Sequence, residues 1–483
     1  MRWISYIAFI IVNVGFSQVQ VKMLYEEMPS DSIQTLSLTE HSSILPSIGT
    51  IKSFKKTNTG YISKVNNGNY FRVHAITDLA YTPIDNQYRT GLGAFVETQF
   101  ANKWFVRLAA IEGIGKIDTS FLAPKSYYFE RKKDSLISYL DIRGRVSFTP
   151  NRVFNFQAGI DNNFIGEGNR SMLLSDYAVP APFAQIRTKF WRLEYVMLYQ
   201  FYREQVKSQW KNKYAASHYL SINATKWLNM GFFETVIFQP KDTTLNRGFD
   251  AEYLNPIMFY RPQEYSMGSS DNIILGFQIS AKYKGHTVYA QAILDEFSLS
   301  ELRKKTQWWG NKYGGQFGIK GRFQNRIGDF FYRTEFNTAR PYTYSHSLLI
   351  QNYGNQGYAL ANPYGGSFAE ILGELKWQKA NWYIKFFANY FLKGFDMEDG
   401  LSYGGDIYQS YNNRPYEYYN KIGQGFGNNG ARIILSAAYK LDTSTNLQVF
   451  LENHIRTNNY LKEPDYYFII GIRSCLWNDY RNY

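Results

Sequence analysis

From about residue 70 onward the sequence alternates apolar and polar residues with a period of two, and this limits the chain more than any other feature. A strand sends successive side chains to opposite faces, whereas a helix would repeat every 3.6 residues or so. The segment from Asn272 to Tyr283 is the clearest case. Ile273, Leu275, Phe277, Ile279, Ala281 and Tyr283 share one face, and Gly276, Gln278, Ser280 and Lys282 share the other. After a tight turn at Lys284 and Gly285, Val288, Ala290, Ala292 and Leu294 oppose Gln291 and Asp295. Leu447, Val449 and Leu451 alternate with Gln448, Glu452, His454 and Arg456; Tyr466, Phe468, Ile470, Ile472 and Leu476 alternate with Gly471 and Arg473. Arg or Lys in mid-membrane hydrocarbon costs about 2–4 kcal/mol, so the second face must look into a polar interior.

About eighteen such segments can be placed, a number typical of larger outer-membrane barrels. They begin near residues 70, 90, 104, 136, 152, 183, 191, 218, 230, 272, 286, 313, 328, 367, 382, 431, 446 and 465. Short connections fall at 101–103, 149–151, 226–229, 284–285, 324–327, 378–381 and 441–445. Long ones fall between them, at 114–135, 162–182, 203–217, 240–271, 296–312, 340–366 and 396–430. Strict short/long alternation is the signature of periplasmic turns and outside loops, and an even count puts both chain ends in the periplasm. Long inward loops at 162–182 and 240–271 are expected to plug the lumen.

Composition agrees. The 483 residues include 41 Tyr, 36 Phe and 10 Trp, yet 19% are charged and the mean hydropathy is −0.39. Helical spans need about 20 consecutive apolar residues, and disordered chains are poor in rings. The rings divide into three sets. Phe277, Tyr283 and Phe468 belong to the lipid face, Phe450 and Phe387 point inward, and the rest crowd the loops.

Residues 1–17 read as a secretory signal: Arg2, an apolar run from Ile4 to Val14, and a small-residue site at Gly15–Ser17, with cleavage near Ser17 and Gln18 as the mature start. Residues 18–69 are polar and weakly periodic, which suits a periplasmic helical cap or an inward plug. Residues 70–483 form the barrel. The one cysteine, Cys475, permits neither an internal disulfide nor a Cys-based metal cluster. The net charge of +13 suits anionic glycan or lipid headgroups as well as a solvated basic lumen. No Lys/Arg run or nucleic-acid motif accompanies it.

Catalytic motifs are lacking: no His-Glu-x-x-His, no Gly-x-Ser-x-Gly, no Walker A loop. The six histidines, His41, His74, His218, His286, His346 and His454, have no metal-ligand spacing. Gly423, Gly425, Gly427 and Gly430 precede a strand rather than a helix, so they read as a flexible outer loop. Ser345 and His346 are adjacent and alternate faces, a poor geometry for proton transfer. No cofactor, metal or enzymatic activity is expected. The loops carry the better signal. Tyr403, Tyr408, Tyr411, Tyr416, Tyr418 and Tyr419 crowd one, Trp308 and Trp309 sit in another beside Arg303, Lys304 and Lys305, and Arg340 and His346 lie in a third. Ring faces stack on sugar rings while polar groups take hydroxyls, so these residues are glycan-binding candidates. The alternative is that they pack the loops or form the interfacial girdle.

Residues 158–183 are the most distinctive. A strand ends at Asp161, a Gly166-x-Gly168 turn follows, and Leu173-Leu174-Ser175-Asp176 leads to Pro180, Pro182 and Phe183. This run resembles the capsule-assembly Wzi family of outer-membrane proteins, in which a Gly-Pro-Gly-like turn leads to Leu-Leu-Ser-Asp-Asn-Ala and Pro-Phe. Glu167 stands where that family often has Pro, and Tyr177 where it often has Asn. Phe233–Ile237 with Tyr253–Pro256, Leu294–Phe297, Arg340–His346 with Asn362–Gly365, and His41–Pro46 are similar to further family stretches. The Tyr- and Asn-rich character resembles the RemB-like gliding-motility branch of Bacteroidetes-type bacteria.

The resemblance implies an eighteen-stranded outer-membrane barrel with a helical periplasmic side, a loop-occluded lumen and a lectin-like outer surface that holds polysaccharide. The expected partners are outer-membrane lipid, extracellular polysaccharide and other surface or motility proteins, and no nucleic acid. Two rival readings remain. One is a channel for small solutes or sugars, for which Arg333, Glu335, Lys385 and Arg456 would suit a polar path. The other is a hydrolase on the barrel wall.

Overall fold

The computed structural model describes residues 20–21, 41–46, 48–49, 62–66, 69–84, 86–101, 103–116, 127–131, 136–206, 208–240, 248–256, 271–442 and 447–474. The signal segment, most of 18–69 and Cys475 lie outside them. Among the described residues, eighteen antiparallel strands close into one barrel. They are β1 (Asn69–Thr82), β2 (Gln87–Phe100), β3 (Trp104–Lys116), β4 (Leu136–Phe148), β5 (Phe154–Asp161), β6 (Ala181–Phe190), β7 (Leu193–Val206), β8 (Gln209–Asn223) and β9 (Leu228–Phe238). The second half comprises β10 (Asn272–Tyr283), β11 (His286–Leu294), β12 (Tyr313–Asn325), β13 (Gly328–Ala339), β14 (Phe368–Lys379), β15 (Trp382–Phe395), β16 (Phe426–Asp442), β17 (Leu447–Asn458) and β18 (Asp465–Ser474). Each strand pairs with the next, and β18 closes on β1 from Ile470↔Tyr81 to Arg473↔Asp78. Two short strands extend the wall: Ile62–Asn66 along β1, and Tyr127–Arg131 along the outer part of β4.

The two faces follow the alternation. Leu92, Leu108, Phe317, Ile371 and Leu435 stand exposed on the outer face, while Arg145, Gln278, Ser280, Arg333 and Glu335 are buried on the inner one. Phe450 and Phe387 point inward and are buried, and Tyr283 is exposed. Beside the short turns Phe190, Trp191, Trp227, Phe323 and Trp382 are exposed, the position of an interfacial girdle. The apolar core lies within the barrel, where Ile165, Met172, Leu173 and Leu174 pack on Val196, Phe233, Ile237, Ile274 and Ile293.

Three expectations are corrected. Residues 203–217 are not a long loop: β7 and β8 run on as a hairpin as far as Val206↔Gln209, with Glu204↔Lys211 and Gln205↔Trp210 in register. This tip is rich in polar residues, so the alternation that marks a membrane strand fades there. The outer connections at 83–86 and 459–464 are short too, so the short/long alternation is not strict. The connection after β9 does not simply enter the lumen either. Its residues Phe249 and Tyr253 pack outside the wall. Phe249 lies 5.5 Å from Tyr214 and 6.1 Å from Tyr199, and Tyr253 lies 4.6 Å from Phe238. Ala216 and Val236, at lipid-facing register positions, are buried beneath this cover. Ring-on-ring packing against Tyr199, Tyr214 and Phe238 favours the outside course.

Inward tyrosines lie over cross-strand glycines. A Cβ on Gly113 would meet the Tyr139 ring at 2.4 Å, and one on Gly318 would meet the Tyr289 ring at 2.4 Å. Tyr289 in turn donates to Glu335 at 2.8 Å. Gly318→Ala should therefore displace Tyr289 and cost about 1–3 kcal/mol. The check is the urea midpoint of the folded barrel, read by its heat-modifiable gel mobility; an unchanged midpoint would contradict this packing.

Candidate functional site

The distinctive 158–183 run is a plug. It leaves the wall at Asp161, whose carboxylate accepts from Arg145 at 3.0 Å and Arg107 at 3.2 Å. Arg145 is fully buried and also reaches Gln157 and the Asn162 carbonyl. The loop then crosses the lumen to the opposite wall. Glu335 on β13 accepts the backbone N–H groups of Asn169 (2.8 Å) and Arg170 (3.2 Å), and Gln291 on β11 accepts that of Met172 (2.8 Å). Buried irregular backbone needs such partners. A Cβ on Gly168 would meet both the Arg170 carbonyl and the Glu335 carboxylate at 2.4 Å, so this glycine allows the close approach. Leu174 is bridged to Ile165, Ser175 donates to the Ala361 carbonyl at 2.5 Å, and Asp176 is buried with its carbonyl accepting from Asn162. The Gly166 N–H donates to the Ser43 carbonyl at 2.8 Å.

Residues 41–46 lie in the lumen beside this loop. Ile44–Leu45 pairs with Phe164–Ile165. His41 meets Ser221 at 2.7 Å, Ser43 meets Tyr219 at 2.9 Å, and Arg187 donates to the Pro46 carbonyl at 2.8 Å. Glu167 pairs with Lys320 at 2.9 Å and accepts from Ser42. The plug residues are thus buried and hold one another; they offer no surface to a ligand.

The outer layer is different. It is built from the connections 295–312, 340–367 and 396–425. A short helix, α1 (Leu299–Lys304), starts at the Ser298 cap and ends at Lys305 in the left-handed region. Beyond it the chain zips to the third connection: Trp309 N–H to the Glu417 carbonyl (3.0 Å), Tyr419 N–H to Thr306 (2.8 Å) and Asn420 N–H to Gln307 (3.1 Å). Trp309 and Tyr411 therefore meet at 4.8 Å, with Trp308 5.6 Å from Trp309 and the Arg414 guanidinium 4.0 Å over the Trp309 ring. Arg340 holds the Trp308 carbonyl at 3.2 Å. Trp308, Trp309 and Tyr411 keep part of their surface open to solvent.

Lys312 anchors this cluster from below, 4.5 Å from the Tyr411 ring, 3.1 Å from Glu296 and 3.5 Å from Asp295. Burial opposes its charge, but the two carboxylates outweigh burial and raise its pKa. Burial pushes the Asp295 carboxyl up to about 6 against the pull of Lys312. Burial, with Lys312 nearby, lowers His346 to about 4, so its imidazole is neutral at physiological pH and packs on Tyr411. The Ser345 hydroxyl donates to the Tyr342 carbonyl at 2.7 Å. Among the described residues no group of three His, Cys, Asp or Glu is placed to hold a metal.

The structure thus brings together Trp308, Trp309, Tyr411, Arg340 and His346. It separates Tyr408, which donates to Glu204 at 3.0 Å, and Tyr403, which is buried and donates to Asp399 at 2.8 Å. Tyr416, Tyr418 and Tyr419 are exposed, Tyr419 most of all at 77%. Sequence reading missed Arg414 and Lys312. The only hint was Arg414 three residues from both Tyr411 and Glu417.

No family model and no curated protein matches the sequence. Among solved structures, the chain is similar to Wzi of Escherichia coli, described as an outer-membrane protein involved in group 1 capsule assembly and as a carbohydrate-binding β-barrel. The identity is 12%, the coverage 83% of each chain and the TM-score 0.54. It is also similar to OprD of Pseudomonas aeruginosa, at 8% identity over 83% of this chain and 94% of that one, with a TM-score of 0.43. A BenF-like porin of Pseudomonas fluorescens Pf-5 shares 10% identity over 84% and 98%, with a TM-score of 0.44. The likeness to Wzi is one of fold.

Removing the Glu335 carboxylate orphans two plug N–H groups, at a cost of about 1–3 kcal/mol for each unsatisfied group. In planar bilayers the wild-type barrel should give no steady open current, and Glu335→Ala should raise conductance. A steady open current through the wild type would contradict a plugged lumen.

Proposed function

We propose that this chain is an outer-membrane surface barrel that binds or anchors extracellular polysaccharide through its outer loop layer, without catalysis. The observation that carries this is the part-exposed cluster of Trp308, Trp309 and Tyr411 under Arg414, standing over a filled lumen. Ring faces beside a guanidinium suit sugar rings and their hydroxyls or carboxylates. The fold shared with a carbohydrate-binding barrel supports the same reading. The finer form of the proposal is retention of the cell's own capsule or slime, with a place in gliding beside other surface or motility proteins. The channel reading draws on the cationic lumen, where Arg333, Lys376 and Lys385 surround Glu374; the bilayer measurement decides against or for it.

The test is binding of the purified barrel to the organism's own surface polysaccharide. Trp309→Ala combined with Tyr411→Ala should weaken it at least about tenfold, which is about 1.4 kcal/mol. No binding by the wild type, together with unchanged polysaccharide retention in a deletion strain, would overturn the proposal.

A further inference from the structure

The lumen wall carries a cation that the fold leaves unanswered. Arg432, at an inward position on β16, forms no ion pair and no side-chain hydrogen bond among the described residues, and its Nη1 atom is buried without a partner. Its partner in register on β17 is another arginine, Arg456, which itself stands opposite Asp465 on β18. The other charges around Arg432 are Arg170 and Glu370, with the Tyr364 phenol. Glu370 is already engaged by Asn389 (2.9 Å), Asn337 (3.3 Å) and Arg170 (3.4 Å). Like charges directly opposite destabilise a strand pair, and a desolvated cation without a counter-charge is costly. Two arginines kept together on one face therefore suit an anion that arrives from outside.

The surroundings indicate what kind of anion. The Arg432 guanidinium lies 5.6 Å over Phe391, Arg456 lies 5.9 Å over Tyr467, and Tyr364 stacks on Phe391 at 5.3 Å. Asn428, on the same face nearer the outer rim, has its Oδ1 buried without a partner. The pair sits towards the outer ends of β16 and β17, beside the short outer connection 459–464. Guanidinium forks match a planar carboxylate, and ring faces match a sugar.

We propose that Arg432, with Arg456 beside it, forms a subsite at the barrel mouth for the carboxylate of a uronic-acid unit in an acidic polysaccharide. This deepens the carbohydrate reading and rests on it.

The experiment uses the full barrel in nanodiscs. It compares a galacturonate oligosaccharide with the neutral chain of the same length made by reducing its carboxyl groups, by calorimetric titration at low salt. The wild type should bind the uronate about tenfold more tightly or better, and Arg432→Gln should bring the uronate down to the affinity of the reduced chain. Arg456→Gln serves the same purpose if Arg432→Gln does not reach the folded, heat-modifiable form. Equal binding of the two chains by the wild type, or a preference that survives Arg432→Gln, overturns the subsite and leaves the carbohydrate reading standing. Binding of neither chain, nor of the cell's own polysaccharide, overturns both.

Discussion

Hydrocarbon offers no hydrogen bonds, and the whole structure depends on that. A sheet in a membrane must close on itself so that no strand edge is left unpaired. Closure creates two unlike faces, and the sequence writes them as apolar and polar residues in turn. The inner face then does more than tolerate water. Its Glu335, Gln291, Arg145 and Arg187 supply the partners that let irregular backbone, residues 161–176 and 41–46, lie in the lumen. With the interior filled by that backbone and its apolar side chains, the outer loops have a floor to pack on: Tyr344 and Tyr353 donate to the plug carbonyls of Met172 and Leu173. The ring cluster of Trp309 and Tyr411 stands on this stack.

The strands were legible because each membrane-crossing segment must alternate. Starts expected near 104, 136, 272, 286, 313, 328, 382 and 465 coincide with the observed ones, though the count of eighteen drew on the family resemblance as well as on spacing. Legibility failed where the membrane stopped imposing the pattern. The β7–β8 hairpin continues past the bilayer, so its polar tip reads as loop. The segment around Phe249 and Tyr253 gave no sign of its course, because rings that cover an outer wall and rings that enter a lumen have the same composition.

The site was legible only as a population of aromatic loop residues. Which of them meet depends on backbone pairing between 306–309 and 417–420, more than a hundred residues apart, and no periodicity records that. Tyr403 and Tyr408 looked like their neighbours in sequence, yet carboxylates of Asp399 and Glu204 hold their hydroxyls and take them into the packing. The motif loop was legible as a distinctive run, but its role as a plug lies in partners such as Glu335, which come from strands far along the chain. Glu167, between the two turn glycines, is accommodated in the buried loop because Lys320 and Ser42 take up its charge.

Under the proposed function, sugar is held by the outer loop layer while the plug stays in place. Hydrogen exchange of the barrel in nanodiscs, with and without the cell's surface polysaccharide, tests this most directly. The expected result is slowed exchange in 305–314 and 408–420 and unchanged exchange in 162–176. Unchanged loops, or faster exchange of 162–176 as the polysaccharide enters, would contradict it.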